Sequence, residues 1–271
     1  MYENREIYPN SPLALVTVEV KYPYAPRLRQ VDALDRIQMS LEGLLPIRQR
    51  EQRFTLQVAM GAGPLASPPQ AMDVFRFLNK SRRRSAVISP EAFSVEMTDY
   101  REFSEFLELI SAVAQAIQAE GAIPAVERIG LRYIDEIRVP EKITEASQWS
   151  NWLAPELLPS TESRAGTARA VQGAILYETA PSSQLRLSFA SLEGQGVVSN
   201  DPLRRKSIPE PGPFFVIDID SFWEAASPED SQEFDVELLK QTVGELHDPM
   251  GRVFQSVITD KLREIFRGEN G

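Results

Sequence analysis

Cysteine is absent from the 271 residues. That excludes disulfides, thiolate metal sites and cysteine nucleophiles. Histidine is almost absent: His247 stands alone, which excludes every metal motif built on two histidines. A Ser-His-Asp hydrolase would have to use His247, and no Gly-x-Ser-x-Gly elbow supplies its nucleophile. The other reading of His247 is a helix-end residue, its cation favoured near a C-terminus. Long apolar runs are missing too. Nothing approaches about 18 uninterrupted apolar residues, so no membrane span is expected. The opening Met1-Tyr-Glu-Asn-Arg-Glu6 lacks the basic and apolar regions of a secretory signal, and a cytoplasmic protein is expected. Gly61-Ala-Gly63 is not followed by Gly-Lys-Ser/Thr, so it is no phosphate loop; no cofactor, metal or catalytic residue is assigned. Positive charge is also in deficit. The formal net charge of −10 argues against a generic nucleic-acid binder, because neutralising phosphate supplies most of that affinity.

What is there is core and pattern. Apolar residues make up 42% of the chain, ample for a packed interior. Val16, Val18, Val20 and Tyr22 alternate with polar residues, the period of a half-buried strand. A helix carries Leu34, Ile37, Leu41 and Leu44 on one face. Phe54, Leu56, Val58 and Met60 alternate again, and Gly61 to Met72 reads as a surface loop. Short strands are expected at Val74 to Leu78, Ser85 to Ile88 and Phe93 to Met97. Asp99 looks like the N-cap of a long helix. Its stripe of Phe103, Phe106, Ile110, Val113 and Ile117 contributes roughly 1.5–3 kcal/mol per buried side chain.

The same order then returns. A strand is expected at Val126 to Val139, a helix at Glu141 to Leu153, and strands at Arg169 to Glu178, Gln184 to Ala190 and Phe214 to Asp220. Asn200 to Pro213 reads as a mobile proline-rich loop. The last helical region, Leu239 to Ile265, is expected to kink sharply or break near His247-Asp248, because Pro249 follows. Even the ends of the first strands echo each other, in Glu19-Val-Lys-Tyr-Pro23 and Glu136-Ile-Arg-Val-Pro140. The expected fold is α+β in two similar lobes, residues 1–122 and 123–271. Each would be an antiparallel sheet with a long helix on one face, by internal duplication. Regular βαβ alternation is missing, so a doubly wound parallel sheet is excluded.

Three segments resemble a sporadically distributed family of uncharacterised prokaryotic proteins: Tyr8-Pro-Asn-Ser-Pro-Leu13, Arg128-Ile-Gly-Leu-Arg-Tyr-Ile-Asp135, and Leu246-His-Asp-Pro-Met-Gly-Arg-Val-Phe-Gln-Ser-Val-Ile-Thr259. The chain departs from that family in carrying Ala14 and Leu15 where an acidic residue is usual, and Asp135 where Asn is usual. The resemblance carries no activity. Its sporadic occurrence suggests a defence or mobile-element setting, an associational hint.

Candidate binding residues are cationic. Arg132, with Tyr133, could face a pocket and hold a carboxylate or phosphate; alternatively Arg132 pairs with Asp135 or Asp218, or lies on a solvated face. Alternation puts Arg132 and Asp135 on opposite faces. Asp218 and Asp220 share a face and could hold Mg²⁺, but one pair is an incomplete ligand set. Glu19-Val20-Lys21 has the Glu-x-Lys form of one nuclease superfamily, a very common tripeptide. Lys80 with Arg82-Arg83-Arg84, and Arg204-Arg205-Lys206, form two basic turns. They could grip phosphates or an acidic partner, or simply keep hairpin tips soluble. Without interleaved aromatics, base stacking has little support. The expected function is therefore a non-enzymatic protein-interaction component. Its alternatives are a small-ligand sensor with a pocket between sheet and helix, and a nucleic-acid-binding protein or nuclease. The last requires both basic turns on one side, near Asp218 and Asp220.

Overall fold

The computed structural model describes residues 6–55, 70–121, 123–158 and 166–269. Strand β1 (Leu13–Lys21) buries Val16, Val18 and Val20 on one face and leaves the alternate residues half-covered. Helix α1 (Val31–Leu41) buries Ala33, Leu34, Ile37 and Leu41. Leu44, expected on that face, lies past the helix end and is exposed, while Leu45 is buried in its place. Strands β2 (Ile47–Thr55), β3 (Gln70–Leu78), β4 (Arg84–Ile88) and β5 (Ala92–Met97) follow. The expected Leu56 to Met60 strand, and most of the loop after it, lie outside the described residues.

Helix α2 (Phe103–Gln118) buries Phe106, Ile110, Val113 and Ile117, with Phe103 only partly covered. Its N-cap is Glu102, not Asp99. Asp99 instead accepts from Arg84 Nε at 3.0 Å, and a charged hydrogen bond of that kind outweighs a cap contact.

The second half contains β6 (Arg128–Ile137), β7 (Gln172–Ala180), β8 (Ser183–Gly194), β9 (Gly212–Glu224), α3 (Val236–Val257) and α4 (Asp260–Arg267). Between β6 and β7 the expected α-helix is replaced by short 3₁₀ turns at Ala146–Asn151 and Pro155–Leu157. Ser147, Ser150 and Asn151 are weak helix formers that compete for backbone groups. Trp149, Trp152 and Leu153 still reach the core there.

The helix is not broken at His247-Asp248. Helix α3 runs through Pro249, and the chain leaves the helix only at Ile258. A proline inside a helix removes one hydrogen bond and crowds the preceding turn, at a cost of about 3 kcal/mol. The buried Leu239, Val243, Leu246, Met250 and Val257, which pack the helix on the core, offset that cost.

The nine strands among the described residues form one antiparallel sheet, ordered β2-β3-β4-β5-β1-β6-β9-β8-β7. The halves are not separate sheets. Strand β1 pairs with β5 on one side and with β6 on the other, the latter from Leu13–Asp135 to Lys21–Arg128. Helix α2 neighbours both α1 and α3, with α2 against β5 and α3 against β6, β8 and β9. They cover one face of the sheet, and the main apolar core fills the space between. No helix among the described residues is long and apolar enough to cross a membrane.

Candidate functional site

The sheet face away from the helices is a lattice of ion pairs. Alternation from the core-facing Leu131 and Tyr133 places Arg132 on it, beside Asp220 in the register with β9. Arg132 donates from Nε and Nη2 to the two carboxylate oxygens of Asp218, at 2.7 and 2.6 Å. Asp220 lies 3.4 Å from Arg128 and 3.8 Å from Arg186. Arg128 also reaches Glu19 at 3.5 Å. It lies across Gly130, where a Cβ would come within 2.7 Å of its guanidinium.

These pairs decide between the readings left open above, and the Arg132–Asp218 pairing is the one found. Arg132 is held by a carboxylate in bidentate fashion, so it does not share a pocket with Tyr133, which points to the opposite face. Asp218 and Asp220 each face arginine. Among the described residues no group of three or more His, Cys, Asp or Glu could hold a metal ion.

The two basic turns meet. In the β3–β4 turn, Asn79 Oδ1 accepts the amides of Arg83 and Arg84, at 2.9 and 3.2 Å. Arg82 takes a positive φ of 56° to close the turn, a conformation uncommon for a side chain of its size. The β8–β9 connection reaches this turn from the far half. Its amide at Arg204 donates to the Arg82 carbonyl at 2.7 Å. Thr98 Oγ1 donates to the Arg204 carbonyl at 2.6 Å.

What fastens that connection is Glu136. Its carboxylate accepts from Arg205 Nη1, Val197 N–H and Val198 N–H, each at 2.9 Å. Both side chains of the pair are buried, Arg205 to 10% and Glu136 to 2% exposure. Burial pushes the Glu136 carboxyl up, but Arg205 and the two amides outweigh it and hold the carboxyl below the ordinary glutamate value. Gly196, at φ 145°, leaves no room for a side chain beside this pair: a Cβ would sit 2.6 Å from each partner. The expected mobile loop is thus tied down at both Glu136 and Arg82.

The cations therefore divide. Arg84 is spent on Asp99 and Glu105, and Arg205 on Glu136. Among the described residues, Lys80, Arg82, Arg83, Arg204 and Lys206 form no side-chain ion pair. Lys80, Arg204 and Lys206 are exposed and Arg82 and Arg83 half-exposed. They make one basic patch from two segments on a strongly acidic chain.

A second site lies on the other face, between α3 and the sheet. A cavity of about 100 Å³ is lined by residues that include Tyr8, Tyr100, Tyr133, Asp135, His247 and Gln255. Tyr133 donates to the Tyr100 hydroxyl at 3.0 Å, and Tyr8 to Gln255 Oε1 at 3.2 Å. His247 stacks on Phe103 with ring centroids 4.0 Å apart. It sits within α3, not at a helix end as expected. Asp135 is 4% exposed. Burial, with a smaller contribution from nearby Asp218, pushes its carboxyl up to about 8. This wall draws on three segments far apart in the chain: Tyr8 from the stretch before β1, Tyr133 and Asp135 from β6, His247 and Gln255 from α3.

Sequence reasoning found Tyr133 but missed Asp135 and Tyr8 as neighbours. Those three segments meet only through the β1–β6 pairing and the packing of α3. Compared with known proteins, the chain matches no family model, and no curated protein matches it.

Proposed function

We propose that this chain is a non-enzymatic interaction protein that docks an acidic protein partner on the composite basic patch. The observation that carries this reading is the backbone junction of Arg204 with Arg82, which brings two cationic turns into one surface. A chain with net charge −10 gains nothing for its own folding from clustering Lys80, Arg82, Arg83, Arg204 and Lys206. Like charges side by side repel, and their proximity makes sense for an anionic surface that approaches from outside. Nucleic acid is the weaker reading. The acidic body repels a polyanion beyond the patch, and the Asp218 and Asp220 carboxylates that a nuclease would need are occupied by arginines.

The test is capture of partners by tagged protein in its native host, with nuclease treatment, comparing wild type with an Arg82→Glu/Arg204→Glu variant. The reading expects a stoichiometric protein that survives nuclease, elutes with rising salt and is lost from the variant. Equal capture by the variant, or recovery of nucleic acid alone, contradicts it.

The same reading treats the halves as structural repeats. In its support, the first strand of each half lies beside the last, β1 by β5 and β6 by β9, and each last strand leads into a long helix.

A further inference from the structure

We infer that the cavity under α3 binds a small organic cation, a primary ammonium or a guanidinium, with Asp135 as its counter-ion. Four observations converge on this, none of them involving the basic patch.

The first is Asp135 itself. The residue lines the cavity and is 4% exposed. No described residue donates a hydrogen bond to it. A buried carboxyl to which no described residue donates is costly to keep. A ligand that brings N–H donors and a positive charge removes that cost.

The second is the wall. Tyr8, Tyr100, Tyr133 and Phe254 present rings around the same space. Tyr100 and Tyr133 stand edge to face with centroids 5.5 Å apart. Aromatic faces attract cations, most strongly when the cation is desolvated. They would reject an anion.

The third is size. A cavity of about 100 Å³ holds roughly four to five heavy atoms, judged against a cavity of roughly 150 Å³ that binds benzene. Propylammonium and guanidinium fit; a nucleotide or a peptide does not.

The fourth is long-range charge. A chain of net −10 enriches cations at its surface. Of the charged groups that line the cavity, Glu6 is tied to Arg267 by two hydrogen bonds at 2.5 and 2.8 Å. Glu102 and Arg101 balance each other in sign. Asp135 is the remaining carboxyl of the lining, beside the His247 imidazole, and among the described residues no ion pair engages it.

The full-length protein would be titrated with n-propylammonium chloride and with guanidinium at low concentration, at matched ionic strength, by thermal-shift and NMR measurements. Propan-1-ol serves as the neutral isostere and acetate as the anion. Wild type is expected to show a saturable rise in melting temperature with the cations and not with propan-1-ol or acetate. Asp135→Asn keeps the shape and removes the charge, so it should weaken cation binding at least about tenfold, the size of one charge-assisted contact. Asp135→Asn should also fold, because asparagine resembles the uncharged carboxyl the cavity already holds; far-ultraviolet circular dichroism checks this. No saturable shift in wild type overturns the inference. So does an equal response to propan-1-ol, or equal cation affinity in a folded Asp135→Asn.

Discussion

The amide of Arg204 donates to the carbonyl of Arg82 at 2.7 Å, a contact between two turns that belong to opposite halves of the chain. The turns are held from both sides. Asn79 shapes the β3–β4 hairpin, and the buried Glu136–Arg205 pair anchors the β8–β9 connection. The two turns that carry the cations are therefore joined through hydrogen-bonded backbone.

The Glu136–Arg205 pair should be the most sensitive point of that arrangement. Glu136→Gln leaves a buried guanidinium without its counter-ion, which costs about 3–5 kcal/mol in such pairs. Chemical denaturation of wild type, Glu136→Gln and Arg205→Met measures this. Arg205→Met alone strands the carboxylate and should cost a similar amount. The double substitution should cost less than the two single changes added together. Because the folded Glu136 value is lowered, its contribution to stability is present above the unfolded glutamate value of about 4.3. It is lost as the pH falls through the lower folded value. Glu136→Gln should remove that acid-side dependence.

Asp135 should act in the opposite sense. Its folded value is raised to about 8, above the unfolded value of about 3.9. Between those limits the folded state binds the extra proton, so this group's contribution falls as pH rises and is fully lost above about 8. Asp135→Asn should flatten the stability–pH profile across that window and leave the variant at least as stable as wild type at pH 8. Urea midpoints measured from pH 4 to 9 on both proteins test it. A profile in Asp135→Asn that still falls as steeply contradicts the burial argument.

Neither half should fold by itself. Cutting between residues 122 and 123 would expose β1 and β6 along their whole shared register and separate α2 from α3. Fragments 1–122 and 123–271 expressed singly should lack cooperative thermal transitions and protected amides. Co-expressed, they should associate and regain both. Independent folding of either fragment would instead support self-sufficient lobes.

The parts of the fold legible in the sequence are those governed by local period. Alternation in β1 and β8, the apolar run of β9, and the Phe106, Ile110, Val113 and Ile117 stripe of α2 read directly. Strand β2 did not, because an edge strand such as Ile47–Thr55 carries Arg48, Arg50 and Glu51 where a central strand would alternate apolar residues. Pro249 did not break α3, because a tertiary core, invisible in a local window, holds the helix together through it. The fusion of both halves into one sheet depends on β1–β6 pairing, which no turn signal encodes. The site was legible by residue type and not by partnership. Composition marked both basic turns, but which arginines were already spent depended on Asp99, Glu105 and Glu136, and Arg205 and Glu136 are 69 residues apart. Face alternation did separate Arg132 from Asp135, and that separation divides the two sites.

Hydrogen exchange of the captured complex, read by mass spectrometry, tests the central claim most directly. If the patch is the docking surface, partner binding should slow exchange together in residues 79–84 and 200–206. That protection should weaken in Arg82→Glu/Arg204→Glu, which should keep the wild-type pattern when free. Protection confined to the β7 edge or to α3, with both basic turns exchanging as in the free protein, would contradict it.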